Sequence, residues 1–228
     1  MSHGSVSRME IASRIASVTQ LGNHFAVWTG TEAGNIPPED ISIAQLAGGT
    51  EAAEQTLNVS GEMIEDTLDT GLFSSRGEER LGWPHQTLAE YLAARYCLTH
   101  GLSIEQLRSL MFHPRRARVI PQVREVASWL ALQNEELFLE IAEKDPEVLL
   151  GSAAPSMSPS QRIVLTNALL RRCDESEILH IHHNLAIRHL AHPDLAIQLE
   201  PVLRDKNRST ATRYFAISVA RTWGTDHG

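Results

Sequence analysis

Apolar and polar positions follow two different rhythms along the chain, and the change from one to the other divides it. Between Arg8 and Leu21, Ile11, Ile15 and Val18 recur at helical spacing, and HFAVW at 24–28 then gives a short β-like run closed by Gly30. TEAGNIPPED reads as a loop. Residues 42–47 predict a short helix stopped by Gly48 and Gly49, and residues 51–57 predict another. A third runs from Ser60 to Asp69, with Ser60 as its cap and Met63, Ile64 and Leu68 on its inner face. LFSS, a turn over RGEER, and LGW then form the pattern of a β-hairpin. Short helices followed by a two-stranded wing predict a winged-helix arrangement over roughly residues 40–85.

After the hairpin the rhythm is helical throughout. A helix from Pro84 to about Thr99 places Leu88, Tyr91, Leu92 and Tyr96 on one stripe, with Pro84 suited to its first turn. Further helices are predicted over 103–112, 120–133, 135–143, 159–172, 176–191, 193–204 and 209–223, and GSAAPSMSPS marks the clearest internal break. Beyond Ser158 the helices come in pairs of similar length, as in an α-solenoid. The last pair resembles a HEAT repeat: a leucine-rich helix, a turn at Asp205, then Arg213, Ala216, Ala220 and Gly224. Tyr214, Ile217 and Trp223, at helical spacing there, read as core.

The expected fold is therefore mainly α, a winged-helix domain with a small β-hairpin followed by an α-helical, HEAT-like array. Residues 1–8 read as a cloning remnant or disordered tail, 9–101 as the winged-helix domain with its following helix, 102–158 as a helical linker domain, and 159–228 as the start of the solenoid.

Composition narrows the function. A chain of 228 residues with 42% hydrophobic content buries a real core, and a formal charge of −8 disfavours general affinity for nucleic acid or anionic lipid. No window reaches the roughly 18 uninterrupted apolar residues of a membrane span, and no signal-like segment opens the chain, so a cytoplasmic location without membrane contact is expected. Cys97 and Cys173 each fall inside a helical pattern and read as reduced, packed thiols. The Asn-x-Ser matches at Asn58 and Asn207 carry no meaning without a secretory route.

Chemistry-bearing residues are few, and no catalytic residue is assigned. No glycine-rich loop ending in Gly-Lys-Ser or Gly-Lys-Thr occurs, and neither Lys144 nor Lys206 follows a glycine. HPRRARVIPQVR gathers Arg115, Arg116, Arg118 and Arg124, read as a solvated loop and helix start that balances acids such as Glu105 and Glu125. HIHHNLAIRHLAHP gathers His180, His182, His183, His189 and His192. His182 and His189 share a helical face, but no clear ligand set forms before Asp194 and no HExxH motif exists, so no metal site is assigned. DNA reading by the helix at 60–69 is disfavoured, because Glu62, Glu65, Asp66 and Asp69 would meet phosphates with repulsion.

His85 differs from these. It sits where the hairpin gives way to a long helix, beside the amides of Gln86, Thr87 and Leu88, and a helix start with a titratable imidazole suits a phosphate; a capping or packing histidine is the plainer alternative. WPHQTLAEYLAARY resembles the (Phe/Trp)-x-His-x-(Ser/Thr)-x-x-Glu-(Phe/Tyr)-x-Ala-Ala-x-Tyr segment of NACHT-type STAND NTPases, the group that includes NOD-like receptors. Trp83, His85, Thr87, Glu90, Tyr91, Ala93, Ala94 and Tyr96 supply it, while Leu88 and Ala89 stand where the animal receptors carry an aromatic residue and glutamine. DTLDTGLFSSRGEERLGW is similar to the wing of bacterial members, and VIPQVREVASWLALQNEELFLEIAEKDPEVLL to the helical stretch after it, so the resemblance covers roughly residues 9–172.

The resemblance implies that His85 senses the β-phosphate of ADP held by an NTPase module in cis, which would bind ADP or ATP with Mg while this segment holds no cofactor itself. It implies a regulatory part without catalysis: the winged helix restrains an ADP-bound resting state, a protein or other ligand on the helical array favours release, and the parent protein self-oligomerises, in bacteria for antiphage defence. The competing class is a stand-alone α-solenoid scaffold for proteins or peptides, with no nucleotide role.

Overall fold

The computed structural model describes residues 5–31, 36–52, 56–175 and 187–225, and it is mainly helical with small β-sheets. The chain divides into two compact units, one of residues 1–111 with 120–126 and the other of 112–119 with 127–228. The segment 102–158 is thus shared between them.

The first unit is built around α1, Ser5–Leu21, so the chain is already helical at Ser5–Arg8, where a loose tail was expected. Ile11, Ala12, Ile15 and Ala16 are buried, and so are Ser13, Ser17 and Thr19, which marks α1 as a central helix rather than a surface one. It packs along α4, Gln86–Thr99, whose Ala89, Leu92, Ala93, Ala94 and Cys97 are buried. Small residues on both helices let them approach closely. This corrects the expected stripe: Tyr91 is exposed, and the buried face of α4 is turned toward the alanines. Arg95 on α4 ties the pair by donating to Glu10 at 2.7 Å and to Ser13 at 3.1 Å.

The chain between these helices supplies a four-stranded sheet in the order β2-β1-β6-β5. β1 (Val27–Trp28) runs parallel to β2 (Ile41–Ser42) and antiparallel to β6 (Arg80–Gly82), which pairs with β5 (Ser74–Ser75) as the expected hairpin. Its turn uses Gly77 at φ +131 and Glu79 at φ +54. α2 (Ile43–Leu46) starts in a capping box between Ser42 and Gln45. α3 (Gly61–Leu68) is capped by Ser60, which accepts the amide of Met63 at 3.3 Å, and it buries Met63, Ile64 and Leu68 as expected.

The helix expected over 51–57 is absent: β3 (Thr50–Ala52) and β4 (Thr56–Asn58) form an antiparallel hairpin with Glu51 opposite Leu57. Gly48 and Gly49, at φ +92 and +72, turn the chain into it, and the bonds Gly48 N–H to Val59 O and Val59 N–H to Gly49 O continue its ladder. Extended backbone at Glu51 also delivers that carboxylate to Arg14 at 2.7 Å, a tertiary contact that outweighs the weak helical preference of the segment. α5, Ile104–Met111, closes the unit with Leu107 and Met111 inward.

The second unit opens with the isolated bridge Phe112↔Val119 and continues through α6 (Arg124–Ala131), shared at its start with the first unit, and α7 (Glu135–Lys144). Residues 151–160, expected as a break, follow one 3-10 turn and contain another at Ala154–Ser156 before α8, and Ala153, Ala154 and Met157 in them are buried. α8 (Pro159–Glu175) packs on α7 and on α10 (Thr210–Thr225), which in turn packs on α9 (Leu195–Arg204). Of the helix expected at 176–191, residues 176–186 lie outside the described residues and Arg188–Leu190 is a 3-10 turn. Tyr214 and Ile217 are exposed rather than core, at 73% and 41%, and the side chain of Trp223 lies outside the described set. Near the α9–α10 turn Asp174 receives Arg208 and the hydroxyl of Thr212, and Asp205 also pairs with Arg208, at 3.6 Å. No described helix is long and apolar enough to cross a membrane.

Candidate functional site

Pro84 disfavours helical backbone at the residue before it and lies just ahead of α4 rather than in its first turn, so the cap falls to His85. His85 is extended, at φ −121 and ψ 105, and its side chain makes no capping bond. Its carbonyl accepts the amides of Leu88 at 3.2 Å and Ala89 at 3.5 Å, which leaves the amides of Gln86 and Thr87 at the open mouth of a 14-residue helix. No acidic residue stands in that first turn, and the imidazole is exposed. Exposed amides, the positive end of the helix dipole and an uncommitted imidazole together make a surface that accepts an anionic oxygen.

The helix start is held firmly. Gln86 Nε2 donates to Gln20 Oε1 at 2.5 Å, and the indole N–H of Trp83 donates to Thr19 Oγ1 at 3.1 Å, so the end of α1 fixes both flanks of His85. Sequence reading named Gln86 only for its amide and missed its side-chain bridge to Gln20, 66 positions away and without a local signal. Beside them an open groove of about 690 Å³ is lined by Gln20, His24, Arg76, Arg80, Trp83 and Gln86, among others, and His85 lies outside that lining.

The groove's cations are already committed. Arg80 sits 2.6 Å from Asp40 and 3.1 Å from Glu39, Asp40 first and then Glu39 raise its pKa further, and it lies over the ring of Phe25 at 5.3 Å. Arg76 donates to the carbonyl of Trp83. A phosphate arriving here would have to compete with Glu39 and Asp40 for Arg80.

The remaining candidates separate. Arg115, Arg116 and Arg118 are exposed in the loop closed by Phe112↔Val119, as expected of a solvated loop. Glu105 lies low in pKa through backbone and Ser103 hydrogen bonds, with Arg108 adding to them. The outward face of α3 carries Glu62, Glu65 and Asp69, all exposed. Cys97 and Cys173 are free and buried, and burial pushes their thiols up to about 11 and about 12, which leaves them protonated and inert near neutrality.

Of the histidine-rich stretch, His180, His182 and His183 lie outside the described residues. No metal-holding group of His, Cys, Asp or Glu forms among the described residues. His192 is 4% exposed, donates from Nδ1 to the carbonyl of Leu190 at 3.1 Å, and buries Nε2 without a partner. Burial lowers its pKa below the ordinary 6.5, Asp194 opposing and Arg162 reinforcing the shift. His189 is lowered by burial, Arg188 and Arg162.

Both histidines thus take up protons less readily in the native unit than in the unfolded chain, where histidines titrate near pH 6.5. Stability is full above that value and declines as pH falls through it, by at most about 1.4 kcal/mol per pH unit for each histidine. Thermal melts of the chain between pH about 7 and about 5 should show this acid loss, and His192→Phe should flatten it. An unchanged slope in the variant removes His192 as its source. No family model matches the chain, and no curated protein or solved structure does so either.

Proposed function

We propose that the chain is a regulatory, nucleotide-sensing segment of a NACHT-type STAND NTPase, a winged helix followed by a HEAT-like helical array. In the first unit, α1, β1, β2, α2, the β3–β4 hairpin, α3 and the β5–β6 hairpin follow in order; the short helices ending in a hairpin whose far strand pairs with β1 support the winged helix, with β3–β4 an addition to that pattern. In the second, α9 and α10 pack on each other and α10 packs against α8, which supports the array. The observation that carries the reading is His85: exposed, uncommitted, and set by Trp83 and Gln86 at the open amino end of α4.

In this mechanism the imidazole and the amides of Gln86 and Thr87 donate to a phosphate of ADP bound on an NTPase module in cis, so ADP holds the winged helix docked. A ligand on the array shifts the balance only as far as it prefers the undocked state. Acidic α3 supports this over DNA reading, because the helix that would enter the major groove presents carboxylates.

The test uses the polypeptide that the gene encodes, with bound nucleotide extracted and quantified. Wild type should retain ADP. His85→Ala removes one charge-assisted phosphate bond, about 1.5–3 kcal/mol, and should retain it roughly ten- to hundredfold more weakly. A wild type without nucleotide, or a variant that holds it equally well, overturns the sensor role. Absence of a Walker A motif from the encoded polypeptide would favour the stand-alone scaffold, for which the open groove of the second unit is the specific support.

A further inference from the structure

Along the outward face of α8, Ser160, Val164, Asn167 and Arg171 recur at intervals of four, three and four, which sets them on one helical stripe about 16 Å long. On the α7 side this stripe borders a hollow of about 470 Å³ that includes Phe138, Leu139 and Gln161. On the other side it borders a hollow of about 370 Å³ that includes Leu170, Val202 and Arg208. Val164 lines both, so the two hollows adjoin at its side chain within the second unit and are taken together as a groove that crosses it.

The groove has a polarity. Leu139 on α7 is 48% exposed, and Val164 is half-buried, so the middle is apolar and open. At one end Arg171 is exposed with no ionic partner among the described residues, while Arg208 beside it is held by Asp174 and Asp205. At the other end stands Glu135, likewise without an ionic partner among the described residues. An apolar floor between one free cation and one free carboxylate suits neither a nucleic-acid backbone, which needs several cations, nor an anionic bilayer, which Glu135 would repel.

We propose that this groove docks a short amphipathic protein segment, laid with a carboxylate at Arg171, apolar side chains over Leu139 and Val164, and its basic or neutral end at Glu135. About 16 Å accommodates roughly five residues of extended chain or eleven of helix. Apolar contact supplies the affinity, and the opposed end charges set the direction of the segment. The proposal rests on the reading of the helical array as a receiving surface and does not depend on His85.

The test selects a displayed library of random 12-residue peptides against the full 228-residue chain, then measures the enriched peptides by fluorescence anisotropy. Enriched sequences should share an Asp or Glu spaced from an apolar pair. Arg171→Glu should weaken them about tenfold or more, and changing their carboxylate to Lys should restore binding to that variant. Val164→Asp, on a partly exposed position, should abolish binding with the thermal melt unchanged. Enrichment of no common pattern overturns the proposal, as does equal binding to Arg171→Glu and Val164→Asp. So does a concentration-dependent dimer lost in Val164→Asp, which would assign the groove to a second copy. His85→Ala should leave peptide affinity unchanged, so failure of the groove and failure of the nucleotide sensor are read separately.

Discussion

Trp83→Ala should destabilise the first unit by about 3–5 kcal/mol, the range for truncating a fully packed aromatic side chain. Trp83 is 5% exposed, and its ring lies 4.4 Å from that of Phe73, tilted at 44°. The indole N–H donates to Thr19 Oγ1, whose own hydroxyl donates to the carbonyl of Ile15, so one side chain joins the wing to the far end of α1. Its backbone carbonyl receives Arg76 from the turn of the wing. Trp83→Phe keeps most of the buried ring and loses only a neutral hydrogen bond, with Thr19 still bonded within α1, and should cost about 1 kcal/mol. Urea titration of both variants against wild type measures the difference. If Trp83→Ala costs no more than Trp83→Phe, the ring is not the anchor and His85, two residues on, is positioned by Gln86 alone.

Two kinds of information explain what the sequence disclosed. Hairpin and caps were legible because each rests on a local rule, a glycine turn between β-like runs and a serine three residues before an amide it accepts, whereas the start of α4 was read two residues early, at Pro84. The buried face of α4 was not, since it is set by alanines that meet another helix closely and carry little weight in an apolar stripe. Residues 51–57 were misread for a related reason. Their local preference is weak, and their conformation is decided by Arg14, 37 positions away from Glu51. At the candidate site, the imidazole could be picked out because a motif and a helix start coincide at His85, whereas Gln20, Arg80 and Glu39 reach the groove only through the fold. The groove along α8 was hidden because its floor comes from three helices, none of which shows an unusual pattern alone.

Glu51→Ala should be the second costly change. The Glu51 side chain is 1% exposed, and every oxygen is occupied: Oε1 accepts from Arg14 at 2.7 Å and from the Tyr96 hydroxyl at 3.1 Å, and Oε2 faces His100 Nε2 at 2.6 Å. Burial first, then Glu51, pushes Tyr96 up to about 12, so it stays a neutral donor, and its ring stacks on His100 at 3.8 Å. Arg14 also donates to the carbonyls of Leu46 and Gly48, both at 2.9 Å. One carboxylate in β3 therefore joins the hairpin to both α1 and α4. Removing it strands two donors and a cation beneath the hairpin, and since Arg14 and His100 keep 19% and 23% exposure, the loss should fall at the low end of the range for broken buried pairs, about 3 kcal/mol. Glu51→Gln retains shape and one acceptor and should lose less, and a cycle with His100→Ala apportions the pair. The decisive readout is amide exchange in β3–β4. If Leu57 and Val59 stay protected in Glu51→Ala, the Gly48–Val59 ladder holds the hairpin unaided; if they open while α1 and α4 stay closed, the buried carboxylate is what converts a two-stranded ribbon, marginal by itself, into a fixed part of the first unit.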